Sequence, residues 1–405
     1  MNRLVIVLLC LTAGCPGGSS KPAALPKDST SGSEDAATLA HMLSELEDDI
    51  LTSYERDEPP DLDTGMIDPR IGTARIGAGP DDVYIAGDLA RAPSRWPLEL
   101  DPSTPTRVRS KRLEIHIAAD QTAAWMADEL SWRIEMCGRT AVIPLRITAL
   151  YAHDGDRWVP VFEHLSFGFP PAPIDTPSPK PIKTAVLSGD FRDELSGILW
   201  RGLFRTPHDP LVAAQDPSAL VLGPDAGDEW HGAQVQKARM PAGKLEDRRV
   251  GTVGRIPSDA TIAYWVGTYI ADIPAQPGVP AGKVRMRVTH VFEKRRPATG
   301  NAASPDTRSC AVDSKDKADK PNKPNKSDKS DRSDKENGKA ADCRWMLVQS
   351  HMSQPITDDE LTKQVFGTAL ISSKPLELDC SEGARVRAPA VAPRRGVLPP
   401  AAQTP

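Results

Sequence analysis

The middle of the chain repeats itself once, and that repeat constrains the fold more than any other feature. The segment Ile117 to Trp125, with Asp120, Thr122 and Ala124 inside it, aligns with Ile256 to Tyr264, which holds Asp259, Thr261 and Ala263 in the same places. Leu145-Arg146-Ile147-Thr148 aligns with Met286-Arg287-Val288-Thr289. Arg157-Trp158 followed by His164-Leu165-Ser166 aligns with Arg344-Trp345 followed by His351-Met352-Ser353, in the same order along the chain. Upstream, Gly79-Pro80-Asp81 pairs with Gly223-Pro224-Asp225. Two long copies are whole domains and not stacked solenoid units, and 405 residues accommodate two domains with connecting chain.

Each copy opens with helical periodicity. Leu39, Met42, Leu43, Leu46, Ile50, Leu51 and Tyr54 recur at spacings of three and four, and Phe191, Leu195, Ile198, Leu199 and Leu203 repeat the pattern. Alternating apolar residues follow, broken by turn signals such as His153-Asp154-Gly155-Asp156. Strands joined by tight turns pair antiparallel, so each copy is expected to be an α+β domain.

The Leu-Arg-Ile-Thr strand of Leu145 to Thr148, a turn, Arg157-Trp158 and a strand ending in His164 and Ser166 resemble the SnoaL-like branch of the nuclear transport factor 2 (NTF2) superfamily. The association domain of calmodulin-dependent kinases has a related ending. The resemblance covers residues 36–170 and 185–372. It implies two tandem cone-shaped NTF2-like domains, each with N-terminal helices packed on a curved antiparallel sheet around a pocket. It also implies pairing through the sheets, which two copies on one chain can satisfy as an intramolecular pseudo-dimer. The superfamily holds isomerases and dehydratases as well as binding and assembly domains, so fold alone leaves function open.

The remaining segments carry an address. Arg3, an apolar run from Leu4 to Leu11 and small residues before Cys15 form a signal peptide over residues 1–15, too short for a membrane span. Thr12-Ala13-Gly14-Cys15 resembles a lipoprotein lipobox, although Thr12 stands where Leu is usual, and it makes Cys15 the acylated residue. The alternative is an ordinary secretory signal in which Cys15 is incidental. Residues 16–35 read as a flexible tether, 171–184 as a Pro-rich linker, about 297–343 as a disordered Lys/Asp insert, and 373–405 as a tail. The expected location is the cell envelope, lipid-anchored, on the outer membrane facing the periplasm where a cell has two membranes. There disulfides form. Cys310 and Cys343 bracket the insert and are the candidate pair, while Cys380 competes for either partner and Cys137 reads as a buried thiol.

The candidate site residues are the repeated polar ones. Arg146, Thr148, Trp158, His164 and Trp125 form one set, and Arg287, Thr289, Trp345, His351 and Trp265 the other. With period two, Trp158, Phe162, His164 and Ser166 share a strand face, as do Trp345, Gln349, His351 and Ser353. A cation beside a histidine suits a small polar or anionic ligand, and equally suits a core in which the two satisfy each other. A formal charge of −5 argues against nucleic acid. No G-x-S-x-G, P-loop, G-x-G-x-x-G or H-E-x-x-H stands in the sequence, and neither metal nor cofactor is expected. The expected function is a non-catalytic ligand-binding or assembly module. The alternative is an isomerase or dehydratase in which His164 or His351 is the base and Arg146 or Arg287 holds an anion.

Overall fold

A computed structural model describes residues 31–56, 74–85, 95–118, 120–154, 157–173, 182, 215–232, 243–253, 260–273, 275, 280–295, 343–368, 370–373 and 376–380. Cys15, residues 16–30 of the tether, the second copy's expected helix, most of the Pro-rich linker, the Lys/Asp insert with Cys310, and the chain after residue 380 lie outside the described residues, while residues 31–35, expected to end the tether, are helical.

Helix α1 spans Ser31–Arg56. Strands β1 (Ala74–Ile76), β2 (Val83–Ile85), β3 (Thr106–Ile117), β4 (Ala123–Met136), β5 (Arg139–Asp154) and β6 (Arg157–Phe167) form one sheet in the order β2-β1-β6-β5-β4-β3. Strands β7 (Gln215–Leu222), β8 (Glu229–His231), β9 (Gly243–Val253), β10 (Ile262–Ile273), β11 (Gly282–Arg295) and β12 (Arg344–Ser353) form another in the order β8-β7-β12-β11-β10-β9. In each sheet one pairing is parallel, β1 with β6 and β7 with β12, and the rest are antiparallel. The chain is therefore α+β, with two large, mainly antiparallel sheets.

Register aligns the two sheets residue by residue. Ile76 lies opposite His164 as Leu222 lies opposite His351. The following turns close alike, Gly77 N–H donating to Asp82 O and Gly223 N–H to Asp228 O, both at 2.7 Å. Gly77 is thus the counterpart of Gly223, two residues before the Gly79 that a letter-by-letter alignment selects. The backbone aligns by the residue that closes the turn, and the shared Gly-Pro-Asp letters are offset from it.

A β-bulge alters the face assignment of the last strands. The β5–β6 register shifts between Leu150 and Tyr151, leaving Val161 as the extra residue, and the β11–β12 register shifts between Val291 and Phe292, leaving Val348. Each bulge reverses the alternation on its N-terminal side. Trp158 consequently packs with Tyr151 and Trp132, while Phe162 faces the other way among Leu150, Leu220 and Tyr264. Trp345 likewise lies opposite Lys294, two residues beyond the Phe292–Leu347 pair and on the same side of the bulge. The expected shared face for Trp158 with His164, and for Trp345 with His351, is corrected: the tryptophans are on the opposite face.

The first sheet buries both faces. On one side Met42, Leu46, Ile50 and Tyr54 of α1 pack on Met126, Leu130, Trp132 and Ile147. These four helix residues form a single i, i+4 row, and Leu39, Leu43 and Leu51 from the expected wider stripe are exposed. On the other side Trp125, Ala127, Leu150 and Phe162 meet Leu222, Tyr264, Val266 and Val291 of the second sheet, with the Phe162 and Tyr264 rings stacked at 4.2 Å.

After β12 the chain returns to the first sheet. Helix α2 (Asp358–Phe366) starts at Thr357, whose hydroxyl accepts from Glu360 N–H, carries three acids in its first turn, and stops at Gly367 in the left-handed conformation. A hairpin of β13 (Leu370–Ser373) and β14 (Leu376–Leu378) follows. Ile356, Leu361, Phe366, Leu376 and Leu378 all join the core beneath α1, and Ile356 N–H donates to Ala78 O at 3.1 Å. Cys137 and Cys380 are disulfide-bonded with Cα atoms 5.3 Å apart. The second domain was expected to run to residue 372 and a tail to start at 373, but Ile356, Leu361, Phe366, Leu376 and Leu378 belong to the first core. The β14 strand is three residues long, too short to show periodicity. Cys137 is a bridge member and not a lone thiol. Cys343 is also disulfide-bonded, and its expected partner Cys310 lies outside the described residues.

Candidate functional site

The repeated polar residues meet at the contact between the sheets. The His164 and His351 rings stack at 4.1 Å with an interplanar angle of 23°. His164 hydrogen-bonds Thr289 Oγ1 through Nδ1 and Ser353 Oγ through Nε2, both at 2.9 Å. His351 mirrors it, bonding Thr148 Oγ1 at 3.1 Å and Ser166 Oγ at 2.8 Å. Each histidine thus takes both partners from the other sheet. Both are fully buried, and desolvation together with Arg287 pushes the His164 pKa down to about 3. Desolvation, with His164 and Arg146 nearby, holds His351 well below its usual range. Two neutral imidazoles fit here because each presents one donor and one acceptor to a hydroxyl.

The arginines clamp turns. Arg287 donates to Gly77 O at 2.9 Å, Gly79 O at 2.7 Å and Pro80 O at 2.6 Å, all in the turn between β1 and β2. Arg146 donates to Gly223 O in the matching turn of the second sheet and to Glu129 Oε1 at 2.8 Å. Three carbonyls pointing at one guanidinium exploit its fixed fork of donors. The spacing of Arg146 and Thr148 along one strand therefore serves assembly of the two sheets, and none of the four clefts described has these residues or the two histidines in its wall.

The tryptophans divide between faces. Trp125 faces the second sheet, in the position Tyr264 holds in the other copy. Trp265 is one residue on and points to the far side, stacked on His290 at 5.1 Å. Trp158 joins the helix-covered core, and Trp345 lies under the Lys294 ammonium at 5.7 Å from the ring centre.

A cleft not foreseen from sequence opens between α1 and β3. It encloses about 680 Å³ and is lined by Leu51, Tyr54, Trp96, Val108, Ser110 and Trp132, among others, with Arg107 and Arg109 on its wall. Trp96 centres the aromatic wall, 6.2 Å from both the Tyr54 and the Trp132 rings. Behind Tyr54 and Ser110 is Asp128, 1% exposed, flanked by both hydroxyls and accepting from Arg112 N–H at 3.2 Å. Burial pushes its carboxyl up to about 7. Neither Asp128 Oδ2 nor Tyr54 Oη has a well-aligned partner among the described residues. Arg95 lies about 6 Å from the centres of the Tyr54 and Trp96 rings, 2.9 Å from Glu163, and donates to Ser53 Oγ at 2.9 Å. Asp128 and Tyr54 are 74 residues apart by number, and nothing in the sequence signals that a helix and a strand bring them together. Their common register with Met126, Leu130 and Trp132 was the available hint.

Glu114, Glu229 and His231 place ligand-type atoms within 4.8 Å of one another. The Arg112 guanidinium already sits among them, paired with Glu229 and lying 3.2 Å from Glu114 and 2.7 Å from His231 Nε2. The cluster carries its own cation.

No family model and no curated protein matches the chain. Among solved structures, a CamKII hub homology domain of Chlamydomonas reinhardtii is similar to it at 16% identity over 33% of this chain and 97% of that one, with a TM-score of 0.22. An Ntf2-like protein involved in plasmid conjugation is similar at 9% identity over 47% of this chain and 73% of that one, with a TM-score of 0.15. Both are weak structural neighbours.

Proposed function

We propose that this protein is a lipid-anchored cell-envelope protein of two NTF2-like lobes joined as an intramolecular pseudo-dimer, and that it binds a small molecule in the aromatic cleft of the first lobe without turning it over. The observation that carries this reading is a division of labour. The polar residues repeated in both copies are used by the contact between the sheets, and the cleft of Tyr54, Trp96 and Trp132 remains open. An aromatic wall with a few convergent polar groups at its floor is the usual make-up of a small-molecule site. Buried polar atoms without aligned partners, as at Tyr54 and Asp128, favour a ligand that supplies them. The Cys137–Cys380 disulfide supports an oxidising compartment. Cys15, after the small residues Thr12-Ala13-Gly14, is the proposed attachment; no helix among the described residues is long and apolar enough to cross a membrane.

The isomerase or dehydratase reading has no geometry behind its named bases, because His164 and His351 commit both ring nitrogens to hydroxyls between the sheets. Native mass spectrometry of the full chain carrying Cys15→Ala tests the binding reading. A small-molecule adduct that is lost on denaturation and lost in Trp96→Ala, but kept in Trp265→Ala, is the expected result. An adduct indifferent to Trp96 refutes it. Acyl labelling of the wild-type chain, absent in Cys15→Ala, tests the anchor separately.

A further inference from the structure

We infer that the outer part of the first sheet docks electrostatically on an anionic membrane surface. The face of β4 and β5 that meets the second sheet at Trp125 and Ala127 continues past that contact. Beyond the Arg146–Glu129 pair it carries Ser131, Arg133 and Glu135 on β4 and Val142 on β5, with Arg107 and Arg109 beside them on the edge strand β3. These residues line a shallow groove of about 340 Å³. Arg107, Arg109 and Arg133 are exposed, and Val142 is 58% exposed in their midst.

Arg107 lies directly opposite Arg133 across the two strands. Like charges in that relation repel, so the arrangement costs stability in the free protein. Arg133 is relieved in part by Glu135 at 2.6 Å, while Arg107 and Arg109 have no ion-pair partner among the described residues. The second sheet provides the contrast. Where Arg133 faces Val142, its counterpart Asp272 faces Lys283, and Arg285 pairs with Glu246 at 3.2 Å. One copy neutralises this surface and the other concentrates positive charge on it, although the whole chain carries −5.

Arginines around an exposed apolar side chain match a layer of anionic headgroups over hydrocarbon: the guanidinium groups take the phosphates and the valine enters the interface. A membrane is the occupant that satisfies both kinds of group. The location of that membrane rests on the envelope reading above, but the docking itself does not need the acyl chain.

The test uses the full chain carrying Cys15→Ala, sedimented with phosphatidylcholine vesicles with and without phosphatidylglycerol. Binding to the anionic vesicles alone, weakening as salt is raised, is expected. Each arginine contributes about five-fold, equivalent to about 1 kcal/mol near a charged leaflet, so the triple variant Arg107→Gln, Arg109→Gln, Arg133→Gln loses about a hundred-fold. Arg285→Gln on the second sheet binds within two-fold of its parent. No sedimentation with anionic vesicles overturns the inference, as does unchanged binding by the triple variant. Binding of inorganic phosphate, displaced by the same substitutions without any vesicle binding, also overturns it in favour of a soluble anion. Acyl labelling at Cys15 that succeeds while vesicle binding fails rejects the docking and leaves the anchor standing.

Discussion

The two faces of the first sheet evolved different kinds of polar burial. Toward the second sheet, the repeated polar groups meet counterparts from the other copy: histidine with hydroxyls, arginine with turn carbonyls. Toward α1, the polar groups are unrepeated and unevenly satisfied, with Asp128 beside Tyr54 and Arg95 paired with Glu163. The far side of the second sheet differs again. It buries His290 against Ser350 at 3.0 Å, while Arg295 is buried against Glu293 at 2.6 Å and Asp216 at 3.4 Å on the face that carries Val291. What the copies share is the surface by which they hold each other; what they do not share lies where each is free to do something else. A repeated polar residue therefore reports assembly here, and the unrepeated ones lie beside the cleft proposed to bind a small molecule.

The comparison is broken most directly at the turn clamps. Arg287→Ala strands three carbonyls of a buried turn and is expected to cost about 3–5 kcal/mol in chemical denaturation. Arg285→Ala, on a partly exposed pair, costs under about 1 kcal/mol. Similar losses for the two would remove the clamp as a source of stability.

Acid attacks the buried histidines next. The pKa values of His164 and His290 are depressed to about 3, and that of His351 is held well below 6.5. The unfolded chain takes up these protons below about pH 6.5 while the folded chain does not, so stability falls as pH drops from 6.5 toward 4. The slope is up to about 1.4 kcal/mol per pH unit for each histidine. The double variant His164→Gln, His351→Gln is less stable at pH 7 but has a flatter profile, and an unflattened profile would place the acid sensitivity elsewhere.

Removing the bridge tests the returning segment. Cys137→Ser with Cys380→Ser is expected to cost about 2–4 kcal/mol and to speed amide exchange in α2 and β14 more than in β10. Uniform acceleration would mean that α2 and β14 open only with the whole fold.

The smallest effect has the opposite sign. Asp128 has a pKa raised to about 7, so the folded state holds a proton that the unfolded state releases above about pH 4, and stability is lost as pH rises toward 7. Asp128→Asn should therefore gain about 1–2 kcal/mol at pH 8 and nothing at pH 4. A loss at pH 8 would show that the ionised carboxyl is stabilised by its neighbours.

Local sequence marked α1 and the long strands of both copies. Period-four spacing set the buried row of α1 at Met42, Leu46, Ile50 and Tyr54, and the repeated strands gave two sheets of one strand order. Arg146, Thr148, His164 and their counterparts were legible as a set because the chain contains them twice, and identity at matched positions needs no structure to see. Only the tertiary structure decided which face they occupy. One extra residue at Val161, and another at Val348, reverses the alternation, and a bulge leaves no sign in side-chain chemistry. The same holds for Asp128 beside Tyr54, for Cys380 bridged to Cys137, and for Ile356, Leu361, Phe366, Leu376 and Leu378 in the core under α1. Each depends on segments distant along the chain being brought together by burial of apolar surface, a force without direction that sequence patterns record as a tendency to be inside and never as a partner.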